Sequence, residues 1–335
     1  MAVMLKTLAD QVVVVTGASS GIGLTTAEMA AARGAAVVLA ARNAEALGTA
    51  VDRIRARGGR AIHVAADVSD REQVQAIADR AVQEYGRVDT WVNNAGISVY
   101  GELTDVPLAD KRRLFDVTFW GVVHGCEVAV PLLRRHGGAI VNIGSVLSDL
   151  AAPLQGLYTA AKHAVKGYTD VLRMELRNAG APISVTLVKP GAIDTPYTQH
   201  ARNYLPREPK HPKPTYPPEA VAETILRCAE RPVREIVVGG IPRVQIAMHT
   251  LSPGLVDFYA RKMMPSAQQT SEPPHSDDSL YEPSREAYGR RRSGAAAGVF
   301  RSSAYTRAAL SNVMRAAPLV AAAAFATAVY AATRR

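Results

Sequence analysis

The sequence predicts a three-layer α/β domain built on a doubly wound parallel sheet, and three observations carry that prediction. Short apolar runs rich in β-branched residues recur between Gln11 and Val238. They are apolar throughout, as strands covered on both faces are. A helical stretch follows most runs at short spacing, the alternation that gives parallel strands joined by crossover helices. The first run also enters a glycine-rich turn that opens an alanine-rich helix, and this order gives the glycine pattern its meaning.

The elements follow in order. Residues 12–15 are four valines and read as the first strand. They lead into Thr16-Gly17-Ala18-Ser19-Ser20-Gly21-Ile22-Gly23 and a helix reaching about Arg33, with the spacing G-x-x-x-G-x-G. Glycines there permit a tight turn and close backbone approach to a pyrophosphate, while the helix N-terminus offers free N–H groups to it. A second strand, residues 36–40, ends at Ala41-Arg42 with no acid beside it. An acid at this point suits ribose hydroxyls and an arginine suits a 2′-phosphate, so Arg42 favours NADP over NAD. Helix 44–57, strand 61–65 with Asp67-Val68 beyond it, helix 71–85 and strand 88–92 with Asn93-Asn94-Ala95-Gly96 continue the alternation. A single long helix is expected over 111–134, then strand 139–144, a helix carrying Tyr158, strand 183–188, helix 220–230 and strand 235–238.

Chemistry concentrates between Ser145 and Lys162. Tyr158 and Lys162 stand four apart, which on a helix puts phenol and ammonium on one face. A tyrosine ordinarily titrates near about 10, and a fixed positive neighbour is expected to bring it down towards working range. Ser145 closes the apolar run 139–144, where a hydroxyl can hydrogen-bond a substrate oxygen while Tyr158 exchanges a proton with it. The helix around Tyr158 is apolar on more than one side, which makes a homodimer contact the economical reading. Residues 196–218 hold seven prolines and three tyrosines without periodicity, and read as a lid over the carboxyl edge of the sheet.

Charge is unevenly placed. The chain carries a formal +9, yet residues 289–335 alone hold eight arginines and no acid. The basic balance therefore describes a tail, and a nucleic-acid-binding domain is not expected. Cys126 and Cys228 lie in apolar helical contexts, away from any disulfide or metal-ligand spacing. No metal site is expected. The N-terminus is too short for a signal peptide before the first strand, so a cytoplasmic domain is expected. We place the domain at 6–264, lid included, a disordered linker at 265–294 and a basic, alanine-rich tail at 295–335. Within the tail, Ala316–Ala332 has no charge and arginines on both sides. A short membrane anchor, an interfacial helix and a helix docked on protein all remain open for it, with the basic flanks suiting anionic lipid.

Taken together, T-G-A-S-S-G-I-G at 16–23, Asp67-Val68, N-N-A-G at 93–96, Ser145, Tyr158-x-x-x-Lys162 and Pro190-Gly-x-x-x-Thr195 resemble the short-chain dehydrogenase/reductase family, in its form of about 250 residues. The resemblance implies a Rossmann fold paired into homodimers or homotetramers. It also implies roles: Gly17, Ser19, Gly21, Ile22 and Gly23 at the cofactor turn, Asp67 and Val68 at adenine, Asn94 by the adenosine ribose, Gly96 among the cofactor-binding residues, and Pro190, Gly191, Ile193 and Thr195 flanking the nicotinamide. Tyr158 is then the general acid, Lys162 holds the nicotinamide ribose, and Ser145 orients the carbonyl. One position departs from the pattern: Thr118 stands where the family carries a catalytic asparagine that helps hold a water. Threonine reaches less far, so proton resupply is expected to slow while hydride transfer survives.

The leading expectation is an NADP(H)-dependent oxidoreductase acting on a carbonyl or secondary alcohol of an apolar small molecule. Val99, Tyr100, Val146, Leu147, Leu154, Ile193, Pro196 and Tyr197 are its candidate pocket residues. The alternative is a non-catalytic NADP(H)-binding sensor or scaffold that uses its tail for interaction.

Overall fold

The computed structural model describes residues 3–284, 288–294, 298–300 and 302–311. Among them, seven strands form one parallel sheet: β1 (Val12–Thr16), β2 (Ala36–Ala41), β3 (Arg60–Ala65), β4 (Thr90–Asn93), β6 (Gly138–Ile143), β7 (Ile183–Pro190) and β9 (Glu235–Val238). Their spatial order is β3-β2-β1-β4-β6-β7-β9, so the order reverses between β1 and β4. A small parallel ribbon pairs β5 (Val99–Tyr100) with β8 (Arg202–Asn203). The helices are α1 (Gly21–Ala32), α2 (Ala44–Ala56), α3 (Arg71–Tyr85), α4 (Leu108–Phe115), α5 (Gly121–His136), α6 (Gly156–Asn178), α7 (Pro218–Glu230), α8 (Gly240–Leu251), α9 (Pro253–Ala267) and α10 (Ala304–Leu310).

Side-chain alternation along the strands builds two cores from one sheet. Val13, Val15, Val37, Leu39, Val141 and Val188 face the layer of α1, α2 and α7. Val12, Val14, Val38, Trp91, Ile140 and Leu187 face the layer of α3, α5 and α6. Both sets are nearly or fully buried, which is why the strands read as unbroken apolar runs.

Three expectations need correction. The long helix expected over 111–134 is two helices, α4 and α5, separated by a π-helical turn at Asp116–Trp120. Immediately after that turn α5 passes very close to the end of β3: a Cβ on Gly121 would stand 2.6 Å from Val68 Cγ2. The described structure also continues past Met264: α9 runs on to Ala267, and α10 returns to the end of β9, where Gly239 N–H donates to Thr306 Oγ1 at 3.0 Å. Third, the described residues of the expected disordered linker 265–294 are held against the domain. Charges on the domain explain this: the buried Glu28 on α1 pairs with Arg291, and the half-buried Arg42 and Arg113 donate to tail carbonyls. Composition alone cannot show such partners. Ala316–Ala332 lies outside the described residues, among which no helix is long and apolar enough to cross a membrane.

Candidate active site

The carboxyl ends of β1, β2, β3, β4, β6 and β7 open into one cavity of about 670 Å³ at the reversal of strand order. Ligands of open α/β sheets bind at such a switch point. At one end stand Ser145, directly after β6, and Tyr158 and Lys162 on α6. Lys162 is buried, donates from Nζ to the Ile143 carbonyl at 2.7 Å, and stands 5.5 Å from the Tyr158 ring centre. Burial lowers its ammonium to about 8. The Ser145 hydroxyl oxygen accepts from the Leu147 N–H at 3.1 Å.

Tyr158 does not behave as expected. Burial raises its phenol above the ordinary tyrosine value, and the opposing hydrogen bonds with Tyr197 and Ser145 are too weak to reverse this. The phenol is thus held protonated at neutral pH, the state a general acid needs. Thr118 is a second correction: it is fully buried in the π turn, exchanges hydrogen bonds with the backbone of Ile97, and does not line the cavity. It still lies near Lys162, for a Cβ on Gly96 would meet Lys162 Nζ and Thr118 Oγ1 at 3.9 Å each.

The glycine turn makes a cradle that side chains would fill. Gly17 has φ +66°, and a Cβ there would come within 2.8 Å of Ala95 Cα. A Cβ on Gly23 would stand 2.2 Å from the Gly17 carbonyl oxygen, so Gly23 serves packing of α1 and does not itself line the cavity. Asn94 fixes the turn by donating to the carbonyls of Thr16 at 2.9 Å and Gly17 at 3.2 Å. Ser19, Gly21, Ile22, Arg42, Asp67 and Val68 line the cavity beside the glycine turn and the ends of β2 and β3; Pro190, Gly191, Ile193 and Thr195 line it beside β7. Burial would raise the Asp67 carboxyl, but bonds from Arg113 and Ser69 outweigh it and hold the acid below its ordinary range. Narrow turn, helix N-terminus and long cavity fit a dinucleotide.

Beyond Tyr158 the cavity turns apolar. Val146, Leu147, Ile193, Pro196 and Tyr197 line it as expected, whereas Val99, Tyr100 and Leu154 do not. Tyr100 and Leu154 pack instead with Ala201 and Leu205 under the β5–β8 ribbon. The stretch 196–218 supplies His211, which stacks on Tyr197 at 5.8 Å between ring centres and which burial brings down to about 4, so its ring is neutral at neutral pH. The outer wall comes from α8 and α9, through Met248, Val256, Tyr259, Met263 and Met264. Sequence reading kept these residues within the domain at 6–264 but assigned them no helix and no part in the cavity; the apolar spacing along 241–263 was the available signal.

Comparison with known proteins follows the same outline. The family model for short chain dehydrogenase matches residues 11–205. The uncharacterized oxidoreductase YxnA of Bacillus subtilis is 47% identical over 283 residues, covering 83% of this chain and 80% of that protein. An 11-beta-hydroxysteroid dehydrogenase A of Sesamum indicum is 40% identical over 194 residues, 57% of this chain and 55% of that one. A crystal structure of a short chain dehydrogenase/reductase from Burkholderia phymatum in complex with NAD aligns with a TM-score of 0.66 at 31% identity, covering 73% of this chain and 94% of that one.

Proposed function

The chain belongs to the short-chain dehydrogenase family, and from that premise we propose that it moves a hydride between NADP(H) and a carbonyl or secondary alcohol of an apolar small molecule. What supports the reading most is convergence: Ser145, Tyr158 and Lys162 line the same cavity as the glycine turn and Arg42. The nicotinamide, when bound, supplies or accepts the hydride. Gly17, Ser19, Gly21, Ile22 and Asn94 would hold the dinucleotide against α1, and Pro190 to Thr195 would fix its nicotinamide end. Ser145 orients the substrate oxygen, Tyr158 delivers a proton to it, and Lys162 places positive charge beside the phenol. The apolar wall of α8 and α9 favours a lipid-like or steroid-like substrate, and the sesame relative's name agrees with that class.

Arg42 supports NADP over NAD, since a 2′-phosphate would make charge-assisted bonds with its guanidinium. The purified full chain should oxidise NADPH in the presence of apolar ketones with kcat/KM about ten- to hundredfold above NADH, the factor that one or two such bonds carry. Equal use of both cofactors would sink the NADP assignment. Binding without turnover across ketones, aldehydes and steroids would favour a sensor over an enzyme. Pairing of two copies through α6 and the π turn before α5 is supported by exposed apolar side chains there, Trp120, Val171 and Met174.

A further inference from the structure

The C-terminal segment lies across the adenosine end of the cavity in two described stretches, 278–284 and 288–294. In the first, Ser279 N–H donates to the His200 carbonyl at 2.8 Å, and Asp278 pairs with Arg202 at 2.6 Å. Leu280 is fully buried and joins the core cluster that holds Val68 and Leu114. Its carbonyl accepts from Arg113 Nε at 2.9 Å, and the carbonyls of Ser279 and Tyr281 accept from the two terminal nitrogens of Arg42. In the second stretch, Gly289 N–H donates to the Ser19 carbonyl at 3.1 Å, and Gly21 N–H donates to the Arg290 carbonyl at 2.9 Å. Gly21 is the first residue of α1, whose early N–H groups have no partner inside the helix. Arg291 and Arg292 pair with Glu28 and Glu219 of the domain. Ser279, Pro283 and Tyr288 line the cavity.

The tail is therefore bonded to the glycine turn in both directions and to the arginine after β2, the two places that would receive pyrophosphate and 2′-phosphate. From this we propose that the C-terminal segment is a wall of the cofactor site: it encloses the adenosine half of a bound dinucleotide and has to leave before the dinucleotide can. The proposal rests on the reading that a nicotinamide dinucleotide occupies the cavity. The domain favours the closed wall, because without it Arg42, Arg113 and the buried Glu28 each lose a hydrogen-bond partner. A segment of such polar composition is held by bonds of this kind and by one apolar anchor, Leu280.

The test measures cofactor release from the full chain. Protein loaded with NADH or NADPH is chased with excess oxidised cofactor, and the fluorescence of the reduced nicotinamide is followed in stopped flow. Two variants loosen the wall without touching the cavity lining, Leu280→Ser at the anchor and the milder Asp278→Ala at the Arg202 pair. Hydrogen exchange over 278–284 verifies the loosening. Release of both cofactors should accelerate, roughly ten- to hundredfold for Leu280→Ser, the factor that exposing one buried leucine carries. Unchanged release alongside faster exchange would overturn the proposal. So would acceleration confined to NADPH, which would make the segment a device for aiming Arg42 at the 2′-phosphate. If the unmodified chain binds neither cofactor, the functional reading beneath the proposal falls, and the wall with it.

Discussion

Tyr158 and Lys162 share one face of α6, and burial favours the neutral form of both, which helps the phenol as a proton donor and works against the charge on the lysine. The phenol is raised and keeps its proton; the ammonium comes down to about 8 and loses its charge within the working range. Carbonyl reduction needs a protonated Tyr158 beside a charged Lys162. In the free enzyme, kcat/KM for reduction should accordingly fall as pH rises through about 8, with the lysine as the group lost. A profile flat to about pH 10, the ordinary lysine range, would show that Lys162 holds its proton and that its burial is relieved. The pairing itself was legible in the sequence, because helix geometry puts i and i+4 together whatever surrounds them. The direction of the phenol's shift was not, since it depends on desolvation by the folded chain around it. Thr118 and Gly23 show the same limit: spacing locates them near the site, but only packing shows that both lie behind the cavity wall.

At the scale of elements, α6 locks to the sheet through a buried polar network. Trp91 Nε1 donates to Asn93 Oδ1 at 2.8 Å, Asn93 Nδ2 to Asn142 Oδ1 at 2.9 Å, and Asn142 Nδ2 to Thr169 Oγ1 at 3.0 Å. This chain ties β4 and β6 to α6, the helix that carries Tyr158. Gly125 on α5 leaves room for it, because a Cβ there would stand 1.9 Å from Asn93 Oδ1. Gly125→Ala should destabilise the fold by about 1–3 kcal/mol. Gly167→Ala, on the exposed face of α6 with nothing within 4 Å of its Cβ, should stabilise it by about 0.5–1 kcal/mol. Thermal unfolding of the two variants checks the pair; a neutral Gly125→Ala would mean that the network yields without cost. Strand and helix positions were readable because each strand is apolar on both faces. The break between α4 and α5 was not, since the helical spacing of apolar residues continues across it.

Across the whole molecule, one cavity links Arg42 at one end to the α8–α9 hairpin at the other. The half that holds the glycine turn, Ser145, Tyr158 and Lys162 follows from motifs in the first 195 residues, where order and spacing specify the fold and bring these residues to one cavity. Its outer walls come from segments that carry no motif. The α8–α9 wall exposes Ile241, Val244, Met248, Leu251, Leu255, Phe258, Tyr259 and Met263, so its apolar surface was visible in the sequence although its place was not. The tail was hidden more completely: its polar residues read as a free linker until Glu28, Arg42 and Arg113 are seen as their partners. The account's central claim is hydride transfer with Tyr158 as the proton donor. Its most direct test supplies NADPH deuterated at the transferring position of the nicotinamide to the full chain with an apolar ketone, and examines the alcohol by mass spectrometry. The account predicts one deuterium at the carbinol carbon, and a Tyr158→Phe variant that binds NADPH as before yet forms alcohol at least about a hundredfold more slowly. Alcohol without deuterium, or an undiminished Tyr158→Phe, would contradict it.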